Sequence, residues 1–548
     1  MRRLPRAALL LFCIAYVLPG FIGREPWKRA DITGFGHMLE LARGNASWTA
    51  PTLLGLPPEF EALLPYWLGA GAMRLAPPWI EPDFAARVPF ILLLVLTLAA
   101  TWYGVYYLAR SPQAQPVPFA FGGEAQPVDY ARAMADGGLL ALVACLGLAQ
   151  FSHETTPSLA QLAFTATAFF GLAAMRYRPW TSFLALAAGL VGLVLSGGPS
   201  MAMLFGLGGL VVVLVDRHPD PATALPDSVR AGLIVAAMVL AAGVATSFEL
   251  WHWRVEGLAP AGSRSVLRLL VWFTWPAWPL AFWTLWRWRR QLASRHVALP
   301  LWFVLVALGA MAATPSPDRS LLLALPAFAT LAAFALPTFS RSAGALIDWF
   351  TLLFFSICAV TIWVVWLSLH TGVPAKPAAN VARLAPAFVP TYSMWALAAA
   401  VAATVAWVWL VRWRTGRHRS VIWKSLVLPA AGAALCWLLL MTLWLPALDY
   451  ARSYAPLVRN VQNVMDRPGC VEQLGLSRAQ ITGFMYHGGM DLRLAAREPA
   501  CPWLIVAAPM QAAAHMALDM KQWQLAANVP RPSDKDENVL LYRRALPR

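Results

Sequence analysis

The sequence predicts an all-α membrane protein that crosses the bilayer many times and carries a small C-terminal α/β domain. Of its 548 residues, 59% are hydrophobic and 13% are charged, and the mean hydropathy is +0.57. A soluble domain carries about 25% charged residues. The apolar residues lie in long runs, and a more polar tail long enough to form a small domain follows them. We therefore predict a transmembrane domain over residues 1–446 and a soluble domain over residues 447–548.

About thirteen apolar runs approach the roughly 20 residues that a helix needs to cross a bilayer. They cover residues 5–22, 88–109, 137–152, 158–175, 179–197, 199–215, 230–248, 266–286, 299–313, 320–338, 347–369, 392–411 and 424–446. Trp is abundant, and many of the 27 Trp residues flank these runs. That placement is typical of the aromatic belt at the membrane interface.

The basic residues predict how the chain is oriented. Arg2, Arg3 and Arg6 precede the first run, and no small-x-small cleavage site follows it, so we expect a retained anchor. Basic clusters at 176–178, 287–295 and 412–424 fall on the same side as the N-terminus. Under the positive-inside rule this side is cytoplasmic, and an odd number of spans places the C-terminus in the periplasm of an inner-membrane protein. The net charge of +16 thus indicates topology and contact with membrane lipid, not nucleic-acid binding.

The long loop predicted on the outer side, residues 23–87, carries the sharpest candidate for chemistry. A helical pattern, including Phe35 and Met38, follows Asp31, and Arg87 ends the loop. A carboxylate near the membrane surface could deprotonate a hydroxyl acceptor, and an Arg could bind a phosphate with two hydrogen bonds. Asp is also a favoured helix N-cap residue. Both roles remain open for Asp31, and they are compatible.

Several residues of this loop follow a recognisable order: Asp31, Phe35, Trp48, Pro51, Gly55, Tyr66, Trp67 and Arg87. The loop resembles the first periplasmic loop of the aminoarabinose transferases and protein O-mannosyltransferases, which are glycosyltransferases with the GT-C fold. The resemblance implies transfer of a sugar from a polyprenyl-phosphate donor to a lipid, glycan or protein acceptor, with inversion at the anomeric carbon. It also implies that Asp31 is the acidic residue that activates the acceptor.

Two positions depart from the family's pattern. Ile32 stands where the family has the Glu of an Asp-Glu pair. Around Glu61 the family's Glu-Lys-Pro element has lost its Lys, which in the family helps to hold the phosphate of the donor lipid. Glu61 remains a candidate substrate-binding residue, because Glu59 and Glu61 could keep a carboxylate nearby although the positive charge is lost. Tyr66 remains a candidate because it matches the Tyr-Trp pair of the family's loop.

Two further outer loops could complete the site. Glu154 resembles an acidic residue that the family places before a Pro, and with His153 it could bind a divalent cation or orient the phosphate. The same segment could also be a simple turn before a helix. Arg319 resembles a basic residue of the family and could supply the missing phosphate contact, together with Arg87, or it could only pair with Asp318.

Two more features concern the outer face, and a third concerns the sequence as a whole. Arg254, Arg264 and Arg268 fall in a segment that could lie as an amphipathic helix on the membrane surface. Cys470 and Cys501 lie in the polar tail, where a periplasmic location permits a disulfide. Neither a P-loop, nor an HExxH, nor a CxxC motif occurs in the sequence.

Two other function classes stay open. A transporter or flippase would place ionisable residues deep in its spans, whereas the charges of interest here lie in outer loops. A non-catalytic protein that binds a lipid-linked sugar or scaffolds an envelope complex would tolerate the missing Lys. Survival of transfer activity in an Asp31→Asn variant would favour that last class.

Overall fold

The computed structural model describes residues 5–115, 126–216, 223, 225–251, 263–314, 317–339, 341–415, 422–465 and 469–545. The first described helices are α1 (Arg6–Val17), α2 (Ala30–Arg43), α3 (Leu64–Leu75), α4 (Pro82–Ala109), α5 (Pro127–Ala144), α6 (Leu148–Phe151), α7 (Pro157–Ala174), α8 (Pro179–Leu195), α9 (Pro199–Val215) and α10 (Asp227–Ser247). They are followed by α11 (Ser263–Phe273), α12 (Ala277–Arg287), α13 (Arg295–Ala313), α14 (Pro317–Leu322), α15 (Leu325–Ala335), α16 (Arg341–Thr371), α17 (Ala375–Leu384), α18 (Met394–Thr415) and α19 (Val427–Leu443).

Every predicted span corresponds to one helix or to two consecutive helices, and the protein is a multi-pass membrane protein. Within the described ranges, seven helices are long and apolar enough to cross a membrane: α4, α7, α10, α13, α16, α18 and α19. Shorter apolar helices include α1, α8 and α9. A Pro begins α4, α5, α7, α8 and α9, a position where its missing N–H is not needed for helix hydrogen bonds.

Two boundaries differ from the predicted ones. The second span was expected to begin after Arg87, but α4 begins at Pro82, so Arg87 lies inside the helix. The predicted span 266–286 is divided into α11 and α12, because Pro276 removes a backbone donor between them. Of the predicted surface arginines, Arg268 is exposed on α11, whereas Arg254 and the side chain of Arg264 lie outside the described residues.

The C-terminal part forms the predicted α/β domain. Its elements are α20 (Leu445–Arg452), α21 (Ala455–Gln462), β1 (Val471–Leu474), α22 (Arg478–His487), β2 (Leu492–Leu494), β3 (Trp503–Ala507), α23 (Gln511–Ala517), β4 (Trp523–Arg531) and β5 (Asp534–Arg544). The sheet has the order β2-β1-β3-β5-β4, in which β1 is parallel to β2 and β3, and β5 is antiparallel to β3 and β4. A disulfide joins Cys470 to Cys501, a pairing that the sequence permitted but left open.

The loop that contains Asp31 packs directly against this domain. Ile32 and Leu53 belong to the apolar core of the domain, and both are fully buried. A Cβ at Gly36 of α2 would lie 2.1 Å from the hydroxyl oxygen of Thr482 on α22, so the two helices touch through a position without a side chain. The apolar Ile32 is thereby explained, because its side chain leaves the loop and enters the core of the domain. We call the side of the bundle that carries this loop and this domain the site face.

The opposite end of the bundle also buries charge. Arg176 pairs with Asp216 at 3.4 Å, and Arg295 donates to the carbonyl oxygens of Leu172 and Ala173 at the C-terminal end of α7. With Arg230, which is also buried, we call Arg176, Asp216 and Arg295 the basic-face cluster. Arg176 and Arg295, predicted from the sequence only as orientation signals, are therefore packed side chains as well.

Candidate active site on the site face

Asp31 lies in the first turn of α2, and all of its hydrogen-bonding capacity is used. The N-cap position is taken by Arg29, not by Asp31. Oδ1 of Asp31 accepts hydrogen bonds from the backbone N–H and the hydroxyl of Thr155, at 2.7 and 2.8 Å. Oδ2 accepts from the backbone N–H of Trp27 at 3.0 Å and from Arg24 at 2.9 Å. The residue is 2% exposed.

The protonation state of Asp31 follows from these contacts. Burial disfavours the carboxylate, but Arg24, Arg87 and the backbone N–H groups of Thr155 and Trp27 outweigh it and lower the pKa of Asp31 below its usual value. Asp31 is therefore a buried carboxylate, fixed in place and ionised at neutral pH. It joins the loop 23–81 to the loop that precedes α7.

Arg24 is the partner that sequence reasoning missed. Its side chain is fully buried, and besides Asp31 it donates to the backbone oxygen of His153 at 2.8 Å. Its Nε and Nη1 find no hydrogen-bond partner among the described residues. The guanidinium carbon of Arg24 lies 4.5 Å from the centroid of the Trp27 ring, and that of Arg452 lies 4.8 Å from the same centroid. Trp27 thus has two cations beside its ring.

Glu154 and Arg319, predicted separately from two loops, form an ion pair in the structure. Nη2 of Arg319 lies 3.0 Å from Oε2 of Glu154, and Nη1 donates to Ser158 at 3.3 Å. Burial raises the pKa of Glu154, and the charge of Arg319 opposes that effect. The side chain of Arg319 keeps 15% exposure, so it remains accessible from the site face.

Arg87 forms the third ion pair of this region. Its Nη2 lies 2.9 Å from Oδ2 of Asp83, one turn earlier on α4, and its Nη1 donates to the backbone oxygen of Phe21. Tyr486 of the C-terminal domain lies beside the pair. Burial raises the pKa of Tyr486, and the neighbouring Asp83 raises it further. The domain therefore covers the ion pair.

These ion pairs belong to one electrostatic unit, which we call the site-face cluster: Arg24, Asp31, Asp83, Arg87, Glu154, Arg319 and Arg452. Arg24 and Arg87 both act on Asp31, and Arg24 also acts on Glu154. Burial lowers the pKa of Arg452, and Glu154 opposes that shift. The cluster holds four guanidinium groups, and that of Arg319 is partly exposed. Guanidinium groups suit an anionic group such as a phosphate.

The predicted metal ligands do not fit a bound divalent cation. His153 is fully buried, and its two ring nitrogens face the backbone oxygens of Ala149 and Tyr16. Burial also lowers its pKa to about 3. Glu154 is occupied by Arg319 and Gln150. Among the described residues, no group of three His, Cys, Asp or Glu side chains could hold a metal ion.

The other two candidates, Glu61 and Tyr66, lie in different places on the site face. The backbone of Glu61 lies against Gly197, in the turn between α8 and α9. Tyr66 is buried, with its ring 5.3 Å from that of His37 on α2, and burial raises its pKa. Tyr66 thus supports the helix that carries Asp31.

A cavity of about 520 Å³ opens beside the cluster and was not predicted from the sequence. The residues that line it include Gly23, Glu25, Phe388, Asp449, Tyr450 and Arg459. Oδ1 of Asp449 accepts from the Trp27 indole at 2.7 Å and from the backbone N–H of Glu25 at 3.4 Å. Trp27 therefore connects Asp31, through its backbone, to Asp449, through its ring. A signal for Asp449 existed in the sequence, namely an isolated acid just after the last apolar run.

Comparison with known proteins identifies the architecture. No protein-family model matches the chain, and no curated protein matches its sequence. The crystal structure of ArnT from Cupriavidus metallidurans bound to undecaprenyl phosphate is similar, with a TM-score of 0.63 and 14% identity over 98% of each chain. The apo state of the same protein gives 0.61 and 14%, again over 98% of each chain. The arabinosyltransferase EmbB from Mycobacterium smegmatis gives 0.42 and 16%, over 81% of this chain and 42% of that one. The chain therefore has the GT-C fold of the aminoarabinose transferase ArnT over nearly its whole length.

Proposed function

We propose that this protein is a glycosyltransferase that moves a sugar from a polyprenyl-phosphate donor to an acceptor hydroxyl at the periplasmic face of the inner membrane. The observation that carries the proposal is the site-face cluster, with its four guanidinium groups. It lies beside a cavity in a fold similar to that of ArnT bound to undecaprenyl phosphate. The acceptor is a lipid, a glycan or a protein.

The donor phosphate binds to guanidinium groups of the cluster in this proposal. Arg319 is the best placed, because it is partly exposed and Glu154 holds it in position. Arg452 contributes a second cation, and the unused donors of Arg24 add positive potential behind it. Arg87 acts from further inside, since it is buried against Asp83. Together these arginines replace the positive charge of the Lys that the loop lacks near Glu61.

The chemistry is a single displacement. The acceptor oxygen attacks the anomeric carbon, the bond from that carbon to the phosphate oxygen breaks, and the electron pair of that bond leaves with the lipid phosphate. The guanidinium groups lower the barrier because they stabilise the negative charge that grows on the phosphate. The configuration at the anomeric carbon is inverted.

The role of Asp31 as the residue that activates the acceptor stays a prediction. In the described arrangement its oxygens already accept four hydrogen bonds, so a proton could reach them only after Thr155 or Arg24 moves. We propose that Asp31 first of all positions Arg24 and the loop before α7. An Asp31→Asn variant would then lose the charge that fixes Arg24 and would weaken phosphate binding.

A non-catalytic protein that binds lipid-linked sugar is the second candidate. The observation in its favour is the enclosure of Asp31, which leaves that carboxylate without access to a substrate. Such a protein would bind the same polyprenyl phosphate but would leave every glycan unchanged. The transporter alternative receives no comparable support, because the charges of the site-face cluster lie at the end of the bundle.

Mass spectrometry of the cell envelope tests the proposal. Lipid A, glycans and glycoproteins are compared between cells with the gene, cells without it, and cells complemented with an Arg319→Gln variant or an Arg289→Gln control. Arg289 is exposed on the other side of the bundle, and its contacts with the described residues are with Trp286. We expect one glycan species to disappear without the gene, to return with the control, and to stay reduced with Arg319→Gln. No change in any glycan species would contradict the transferase reading and favour the binding protein.

A further inference from the structure

We propose that Asp449 is the carboxylate that removes the proton from the acceptor hydroxyl. This inference rests on the proposed function and assigns a catalytic residue within it. It separates two tasks that the sequence attributes to Asp31 alone: Asp31 fixes the phosphate-binding arginines, and Asp449 meets the acceptor. Three features of the structure support this separation, namely access, position and protonation.

Access distinguishes the two carboxylates. Asp449 lines the 520 Å³ cavity, whereas Asp31 is 2% exposed and is not among the lining residues. Both oxygens of Asp31 accept two hydrogen bonds each. In Asp449 only Oδ1 has partners, and Oδ2 has none among the described residues. A base needs one free oxygen within reach of the substrate, and Asp449 has it.

The position of Asp449 suits attack on a sugar whose phosphate lies at the site-face cluster. The Trp27 indole N–H holds Oδ1 of Asp449 at 2.7 Å, and the same ring packs against Arg24 and Arg452. One indole ring therefore separates the carboxylate from two guanidinium groups. A phosphate beside Arg452 and an acceptor in the cavity would place the sugar between them, as a displacement at the anomeric carbon requires.

The protonation of Asp449 also suits a base. Burial raises its pKa to about 7; the Trp27 hydrogen bond lowers the pKa, the charge of Glu25 raises it, and Arg24 lowers it. Tyr450 on the same helix and Arg459 on α21 are the other ionisable groups that face the cavity. A base whose pKa lies near the working pH is deprotonated in a large share of the molecules and is still basic enough to accept a proton. Asp31, whose pKa is lowered, accepts a proton far less readily.

The step balances in atoms and charge. The acceptor O–H bond breaks, and its proton passes to Oδ2 of Asp449 while the oxygen forms the new bond to the anomeric carbon. The bond from that carbon to the phosphate oxygen breaks at the same time. Asp449 ends as a neutral carboxylic acid, which returns its proton to water through the open cavity.

The experiment measures sugar transfer by the purified full-length protein in nanodiscs. An extract of membrane lipids supplies both the donor, which is the native polyprenyl-phosphate sugar, and the acceptor. The product is detected by mass spectrometry. Variants Asp449→Asn, Asp31→Asn and Glu25→Gln are compared with an Asp491→Asn control, which removes an exposed carboxylate of the C-terminal domain. Binding of undecaprenyl phosphate to each variant is measured in parallel. We expect Asp449→Asn to lose about a hundredfold to ten-thousandfold in transfer rate, typical of a lost general base, and to keep phosphate binding.

The pH profile supplies a second readout that a merely structural role would not move. Since the base must be deprotonated, we expect the wild-type rate to rise as the pH increases through about 7. Glu25→Gln removes a negative charge that raises the pKa of Asp449, so its profile should move to lower pH. Transfer by Asp449→Asn at the rate of the control, or an unmoved profile in Glu25→Gln, would overturn the inference. Absence of transfer in the wild type would instead overturn the proposed function.

Discussion

The two ends of the helical bundle both bury arginines, yet they use them differently. In the basic-face cluster, Arg295 donates to two carbonyl oxygens at the end of α7, so its guanidinium group stabilises the fold. In the site-face cluster, by contrast, the side chain of Arg319 stays partly exposed, so its charge remains accessible. Only the site-face cluster adjoins the cavity that Asp449 lines. The comparison teaches that buried charge alone does not identify a site, and that access to a cavity does.

The largest expected effect is on the site face, in an Arg24→Met variant. The change leaves Asp31 as a buried carboxylate without its closest cation, and removal of one partner from a buried ion pair costs about 3–5 kcal/mol. We expect a large fall in the midpoint of thermal unfolding in detergent. Arg289→Met, which removes an exposed Arg, serves as the control. Equal midpoints for the two variants would show that Arg24 carries no more of the fold than a surface residue.

An intermediate effect is expected on the basic face, in an Arg295→Met variant. It removes the charged Nη2 that donates to both Leu172 and Ala173, and a hydrogen-bonding charged group of this kind contributes about 1.5–3 kcal/mol. Stability should fall, while binding of undecaprenyl phosphate by the folded protein should not change. If the folded variant bound the lipid more weakly, the division of tasks between the two ends of the bundle would be wrong.

The smallest expected effect concerns the contact between α2 and the C-terminal domain. In Gly36→Ala the new methyl group would lie 2.1 Å from the hydroxyl oxygen of Thr482, and such overpacking costs about 1–3 kcal/mol. Limited proteolysis should release the domain faster from this variant. A second substitution, Thr482→Ala, should restore resistance, and Gly232→Ala, which meets nothing within 4 Å, should have no effect. Faster release in the double variant than in Gly36→Ala would contradict the packing argument.

The architecture could be predicted from the sequence because apolar runs have few other interpretations. Each of the thirteen predicted runs is a helix or a pair of consecutive helices, and the predicted α/β domain is present; its disulfide, which the sequence left open, forms as well. The predicted boundaries were wrong where polar residues extend a helix beyond its apolar run, as at Arg87 in α4. Long apolar helices tolerate such polar turns, so hydropathy does not mark where they begin.

The candidate site was only partly predictable, since its parts are distant in sequence. Asp31, Glu154 and Arg319 were singled out because each lies in a loop next to a span, and the structure brings them into one cluster. Arg24 carries no periodic or motif signal, and Asp449 lies more than 400 residues from its partner Trp27. Only folding of the loop 23–81 against α20 brings these residues together, and sequence spacing contains no trace of that contact.

The central claim is that the site-face cluster binds the phosphate of a polyprenyl lipid. Native mass spectrometry of the purified protein, titrated with undecaprenyl phosphate and with undecaprenol, tests it most directly. Hydrogen bonds to charged groups contribute about 1.5–3 kcal/mol, so the phosphate should strengthen binding by roughly tenfold to a hundredfold. This preference should disappear in an Arg319→Gln, Arg452→Gln variant and persist in Arg295→Gln. Equal affinity of the wild type for the two lipids, or a preference that survives loss of both site-face arginines, would contradict the account.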